Sequence, residues 1–111
     1  MTLTYRVILT PKARIELYND AVWWAENRSV EQARHWLDGF ERAIEGLAKD
    51  PQVHPLAREN AAFPFELRQF SYGLRSKPTH RAVFEIRGRD VIVHGVRHLA
   101  RQDLTPEDLI H

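Results

Sequence analysis

Between His80 and Arg101 the chain reads HRAVFEIRGRDVIVHGVRHLAR, a stretch holding three of the six histidines and five of the sixteen Arg and Lys residues. Histidine can give or take a proton near neutral pH, and the arginine fork binds phosphate or carboxylate with two parallel hydrogen bonds. Cleavage of RNA by its own 2′-hydroxyl needs a base, an acid and positive charge at the crowded phosphate. His98 can act as acid or base, with Glu59 or Glu66 as the complementary carboxylate and Arg81 with Arg68 as the electrostatic stabiliser. Arg58, His94 and Arg101 join Arg68 as candidate substrate-binding groups. A competing reading makes each of these an ordinary sheet-surface residue or an ion-pair partner.

Other chemistries find less support. The chain has no cysteine, so thiolate metal sites and disulfides are unavailable. His94 and His98 have the spacing of a helical zinc pair, but on a strand four residues span about 13 Å, too far for one ion. Ser29, Ser71 and Ser76 lack a nucleophile-elbow context, and the five glycines are too scattered for a phosphate-binding loop. No metal and no cofactor is expected.

The elements that would position these residues follow from pattern. A two-residue turn at Gly88-Arg89 sets Arg87 opposite Asp90, Phe84 opposite Val93 and Ala82 opposite Gly95. That register makes one face apolar and puts Arg81, Val83, Glu85, Ile92, His94, Val96 and His98 on the other. Arg81 then opposes Val96, with His98 as its diagonal neighbour. A one-residue slip would exchange the faces.

Upstream, Tyr5 to Leu9 alternates as a strand, and Thr10-Pro11 opens a helix to about Asn27. Ala13, Leu17, Ala21 and Trp24 form its apolar stripe, widened by Tyr18, Val22 and Ala25, while Glu16, Asp20, Trp23 and Asn27 fall opposite. Trp23, a large aromatic on the polar side, is either a rim residue or a partner-binding anchor. Ser29-Val-Glu-Gln32 is a capping box that starts a second helix after almost no loop. Its stripe is Ala33, Leu37, Phe40, Ile44 and Leu47, and the two helices should form an αα-hairpin. Residues 51–64 carry three prolines and read as a loop, followed by a strand over 65–70. Thr105-Pro106 opens a short tail helix docked by Leu104, Leu109 and Ile110.

Length, 111 residues, points to a single domain over 1–111, and 43% hydrophobic with 28% charged residues is ordinary globular composition. No apolar run is long enough for a membrane span and no signal peptide is evident, so a bacterial-type cytoplasmic protein is expected. The net charge of +1 conceals an imbalance. Residues 58–101 carry nine Arg and Lys against four Asp and Glu, while residues 1–50 carry seven against eight. A basic second half suits a polyanionic partner without requiring one.

Five stretches in order carry a resemblance: YRVILTPKAR, the A-x2-W-x3-F-x3-I-x2-L-x3-P run from Ala33 to Pro51, ELRQFSYG, HRAVFEI and VIVHGVRHLAR. Across nearly its whole length the chain resembles the RelE/ParE superfamily of bacterial type II toxin–antitoxin toxins. The resemblance implies an α+β fold: an N-terminal strand, an αα-hairpin, then a three-stranded antiparallel meander, giving a four-stranded sheet packed on two helices with a short C-terminal helix. It also implies a cognate antitoxin that neutralises the toxin, assembled as a dimer or as a toxin–antitoxin hetero-oligomer.

Two activities follow from it. RelE-like members cleave mRNA on the ribosome without a metal, and ParE-like members bind and inhibit DNA gyrase. Arg81 in HRAVFEI matches the strand arginine that stabilises the scissile phosphate in nuclease members. His98 lies in the segment that supplies their acid or base, and Glu59 loosely matches a loop carboxylate. Two departures stand out: the loop lacks lysine, and Tyr72 is the last tyrosine. The expectation is a growth-inhibiting, ribosome-associated endoribonuclease of the plasmid-stabilisation type, with gyrase inhibition as the alternative.

Overall fold

The computed structural model describes residues 4–109. Strand β1 (Arg6–Leu9) runs into helix α1 (Pro11–Asn27), whose first turn is closed by Thr10 Oγ1 accepting from the Ala13 amide at 3.1 Å. Ser29 Oγ accepts from the Gln32 amide at 3.0 Å and starts α2 (Val30–Glu45). Only Arg28 and Ser29 separate the helices, which forces the expected αα-hairpin. A 3-10 turn over Gly46–Ala48 ends α2. Strands β2 (Arg68–Tyr72), β3 (His80–Arg87) and β4 (Asp90–His98) follow, and a 3-10 turn at Pro106–Leu109 takes the place of the tail helix. Ile110 lies outside the described residues.

The sheet order is β1-β4-β3-β2. β2, β3 and β4 form the antiparallel meander, and β1 joins β4 in parallel with Val7 beside Val91. Both helices cover one face, the α+β arrangement that the resemblance implied. Its core joins Leu17 from α1, Phe40 and Ile44 from α2, and Ala82, Phe84, Val91, Val93 and Val96 from the sheet. Trp36, absent from the expected stripe, is fully buried, whereas Leu37 is only half-buried. The indole fills the space between Phe40 and His80, with ring centroids at 5.4 and 4.9 Å.

The β3–β4 hairpin departs from the expected register in its outer half. Arg87 opposes Asp90 and Phe84 opposes Val93, but Val83 then opposes Gly95, so His94 is the extra residue of a β-bulge. Beyond the bulge Ala82 faces Val96, Arg81 faces Arg97 and His80 faces His98. Val96 and His98 therefore belong to the helix side, and the expected neighbours Arg81 and His98 sit on opposite faces of the sheet. Gly95, next to the bulge, leaves room for Leu104: a Cβ there would lie 3.0 Å from Leu104 Cδ1.

The second face is not an open sheet surface. Residues 55–67 cross it, and Ala57, Leu67, Val83 and Leu104 make a small second core flanked by Phe63 and Phe65. Phe65 and Leu67, expected in a strand over 65–70, are recruited to this lid, and β2 begins only at Arg68 and runs to Tyr72. Glu16, expected on the wet side of α1, is buried too. Its Oε1 accepts from the Val96 amide at 3.1 Å, continuing the ladder of β4 where β1 stops at Leu9.

Candidate functional site

The residues expected to do chemistry converge first on the covered face. Arg81 is 0% and Glu59 5% exposed. They form a two-pronged pair, Nη1 to Oε1 at 2.7 Å and Nη2 to Oε2 at 2.6 Å. Gln69 Oε1 takes a further hydrogen bond from Arg81 Nη1 at 2.9 Å, and Glu59 Oε2 accepts from the Leu104 amide at 2.9 Å. Burial alone would raise the Glu59 carboxyl, but the hydrogen bonds from Arg81 and the Leu104 amide outweigh it and hold the group at about 2. Glu59 is thus a fixed anion, and Arg81 its fixed counter-ion.

The other candidates on this side hold the chain to itself. Arg58 spends its fork on the tail: Nε meets Asp103 Oδ1 at 2.5 Å, Nη1 the Leu99 carbonyl at 3.1 Å and Nη2 the Arg101 carbonyl at 2.7 Å. Arg68 donates to the His54 carbonyl at 2.7 Å and to Glu66 at 3.0 Å. His94 Nε2 lies 2.7 Å from Glu85 Oε1, with its ring against Phe65. Arg101 reaches no closer than 3.7 Å to Glu16 and is exposed. Arg97, which had no expected role, is buried between the Gln102 carbonyl at 2.8 Å and Asp108 at 3.6 Å. Every one of these contacts fastens the 55–67 segment, a strand neighbour or the tail.

His98 belongs to a different place. It is exposed at the end of β4, with its ring 5.1 Å from that of His80. Its Nδ1 accepts from the Ala100 amide at 3.1 Å, which leaves Nε2 to carry the proton of a neutral imidazole. Here the end of α1 and the loop after β2 enclose a cleft of about 590 Å³ lined by Trp24, Arg28, Arg75, Lys77, Thr79 and His98. An adjoining hollow of about 410 Å³ shares Trp24, Arg28, Thr79 and His98 and adds Asp20, Trp23 and His80. His80 is buried, with Nε2 3.3 Å from Asp20 Oδ2 and Nδ1 2.8 Å from Thr79 Oγ1.

No motif marks this cleft in the sequence: Arg75-Ser-Lys-Pro-Thr79 has only the composition of a polar loop. One signal was present. Gly73 precedes it, and a Cβ there would meet the Lys77 carbonyl at 2.6 Å and Pro78 Cα at 2.9 Å. The loop folds back tightly on that glycine, and the Thr79 amide to Tyr72 carbonyl bond at 2.9 Å closes it.

Comparison with known proteins gives a consistent picture. The family model described as "ParE toxin of type II toxin-antitoxin system, parDE" matches residues 7–103. Among solved structures, a chain of the chromosomal ParDE toxin–antitoxin system from P. aeruginosa superposes with a TM-score of 0.69 at 13% identity, covering 87% of this chain and 98% of that one. A double arginine-to-alanine mutant of the E. coli toxin RelE in the free state gives 0.51 at 14% identity, covering 87% and 85%. At these identities the likeness is one of fold. Curated proteins include no significant sequence match.

Proposed function

The chain belongs to the ParE toxin family of type II toxin–antitoxin systems, and from that premise we propose that it disables DNA gyrase by binding and does not cut RNA. One observation carries this reading: the arginine that a nuclease would present to the scissile phosphate is closed within the protein. Both terminal nitrogens of Arg81 are engaged by Glu59 and Gln69 with no exposed surface. Freeing it would leave a buried carboxylate uncompensated, at a cost of about 3–5 kcal/mol. His98, the intended acid or base, lies across the sheet from it. The sequence expectation of an Arg81–His98–Glu59 nuclease therefore gives way to the alternative.

Membership of the family implies a cognate antitoxin, and the outer side of α1 supports a role in protein contact. Ile15, Tyr18, Val22 and Trp23 are 60, 41, 54 and 50% exposed there. We assign this stripe to partner binding in the cytoplasm, where antitoxin and gyrase would both be met. The test places the purified chain in a gyrase supercoiling reaction and in a ribosome-programmed mRNA cleavage reaction. Supercoiling is inhibited, mRNA stays intact, and added antitoxin restores supercoiling. Ribosome-dependent mRNA cleavage that disappears in His98→Ala would overturn the reading.

A further inference from the structure

We propose that the cleft between the end of α1 and the 73–79 loop is a nucleotide site, taking the base against Trp23 and Trp24 and the phosphates among Arg28, Arg75 and Lys77.

The charges argue for an anion. Arg58, Arg68, Arg81, Arg87, Arg97 and Arg101 of the basic half all face a carboxylate. Arg28, Arg75 and Lys77, like Arg14, Arg34, Arg42, Lys49 and Arg89, have no ion pair among the described residues, and these three line one cavity. Clustered cations repel one another, and an anion between them relieves that repulsion. Their placement is also built into the backbone. The loop is pinned at Gly73 by close approach and at Thr79 by its amide bond to the Tyr72 carbonyl and its carbonyl bond from the Leu99 amide, 2.9 Å each.

Polarity along the cleft argues for a nucleotide over a bare anion. Arg75 and Lys77 line only the larger cavity, whereas Asp20, His80 and Trp23 line only the adjoining hollow. A phosphate is drawn to the first end and repelled by the Asp20 carboxylate at the second. Asp20 can instead accept from a ribose hydroxyl or a base amino group. Trp23 is half-exposed and meets Trp24 edge-on at 5.7 Å, which leaves an aromatic wall at the same end for stacking. Volumes of about 590 and 410 Å³ match the range of small-molecule sites.

This inference does not rest on the gyrase reading: of the cavity's residues only Trp23 is shared with the α1 stripe assigned to partner binding, and the phosphate-binding cations are not. The test is calorimetric titration of the full chain with ADP, adenosine and pyrophosphate. ADP binds, each fragment binds at least about tenfold more weakly, and Arg75→Ala with Lys77→Ala lowers ADP affinity by about tenfold or more. Thermal melting of the double variant stays at the wild-type value, separating lost binding from lost folding. Trp23→Phe keeps an aromatic wall and retains binding. No heat of binding at about 1 mM ADP would overturn the site, as would unchanged affinity in the double variant. Tighter binding of a single-stranded oligonucleotide or of an acidic peptide than of ADP would overturn the ligand class.

Discussion

Arg81 and Glu59 lock together beneath the segment that covers the outer face of the sheet, with both terminal guanidinium nitrogens within 2.7 Å of a carboxylate oxygen. Because Glu59 also holds the Leu104 amide, this one pair ties β3, the 55–67 segment and the tail into a single unit. Arg81→Ala removes the counter-ion and leaves a buried carboxylate, so it lowers stability by about 3–5 kcal/mol in urea denaturation. A loss below about 1 kcal/mol would mean that the pair opens readily to water, and the nuclease reading would regain its phosphate ligand.

Acid acts on the same pair. Glu59 titrates at about 2 in the folded protein and near 4.3 when unfolded, so the unfolded chain binds the extra proton between those values. The contribution is fully present above about pH 4.3 and is lost as pH falls towards about 2, amounting to roughly 3 kcal/mol. Urea midpoints measured between about pH 5 and pH 2 should fall steeply in the wild type. Glu59→Gln should start lower and fall less over that window. Equal slopes in the two proteins would show that another carboxylate controls the acid limb.

How much of this was legible in the chain differs from element to element. The caps at Thr10 and Ser29 and the helical stripes specify the hairpin because they are local, and the structure reproduces them. The bulge at His94 was not legible. It sits beside Gly95, against which Leu104 packs from nine residues downstream, a contact that no local alternation records. That single extra residue puts Arg81 and His98 on opposite faces of the sheet. Arg81 and Glu59, both candidates for chemistry, form a buried ion pair, and their burial comes from Phe63, Phe65 and Leu67 folding over the sheet, the last two from a stretch whose pattern suggested a strand. The cleft was hidden for a related reason: its cations come from the link between α1 and α2 and from the 73–79 loop, distant in sequence.

Gly39 in the middle of α2 is explained by Tyr72, whose hydroxyl occupies the space a Cβ would need. Burial pushes the Tyr72 phenol up, against a smaller opposite pull from Arg42. Glycine costs a helix about 1 kcal/mol relative to alanine, so a surface glycine would be improved by Gly39→Ala. Here the substitution should destabilise by about 1–3 kcal/mol through overpacking. In a Tyr72→Phe background the hydroxyl is gone, and Gly39→Ala should become neutral or stabilising. The double-mutant cycle then reports a coupling above about 1 kcal/mol. Additive effects would place the tyrosine hydroxyl away from Gly39.

Val22 and Ile15 lie a turn or two apart on α1 with more than half of each side chain in water, and they contribute nothing to the sheet-facing core. Replacing an exposed apolar residue with a charge leaves stability within about 0.5 kcal/mol. If this stripe carries the partner contact, Val22→Asp should weaken the complex with the antitoxin by about 2 kcal/mol or more, the cost of burying an unpaired carboxylate at an interface. Trp23→Ala should do the same with a stability loss of about 1 kcal/mol, because its edge-on packing against Trp24 is also lost. Calorimetric titration against the antitoxin, paired with urea denaturation, measures both quantities. Wild-type affinity in Val22→Asp would move the partner surface off α1. A stability loss of several kcal/mol in Trp23→Ala would make that tryptophan part of the core.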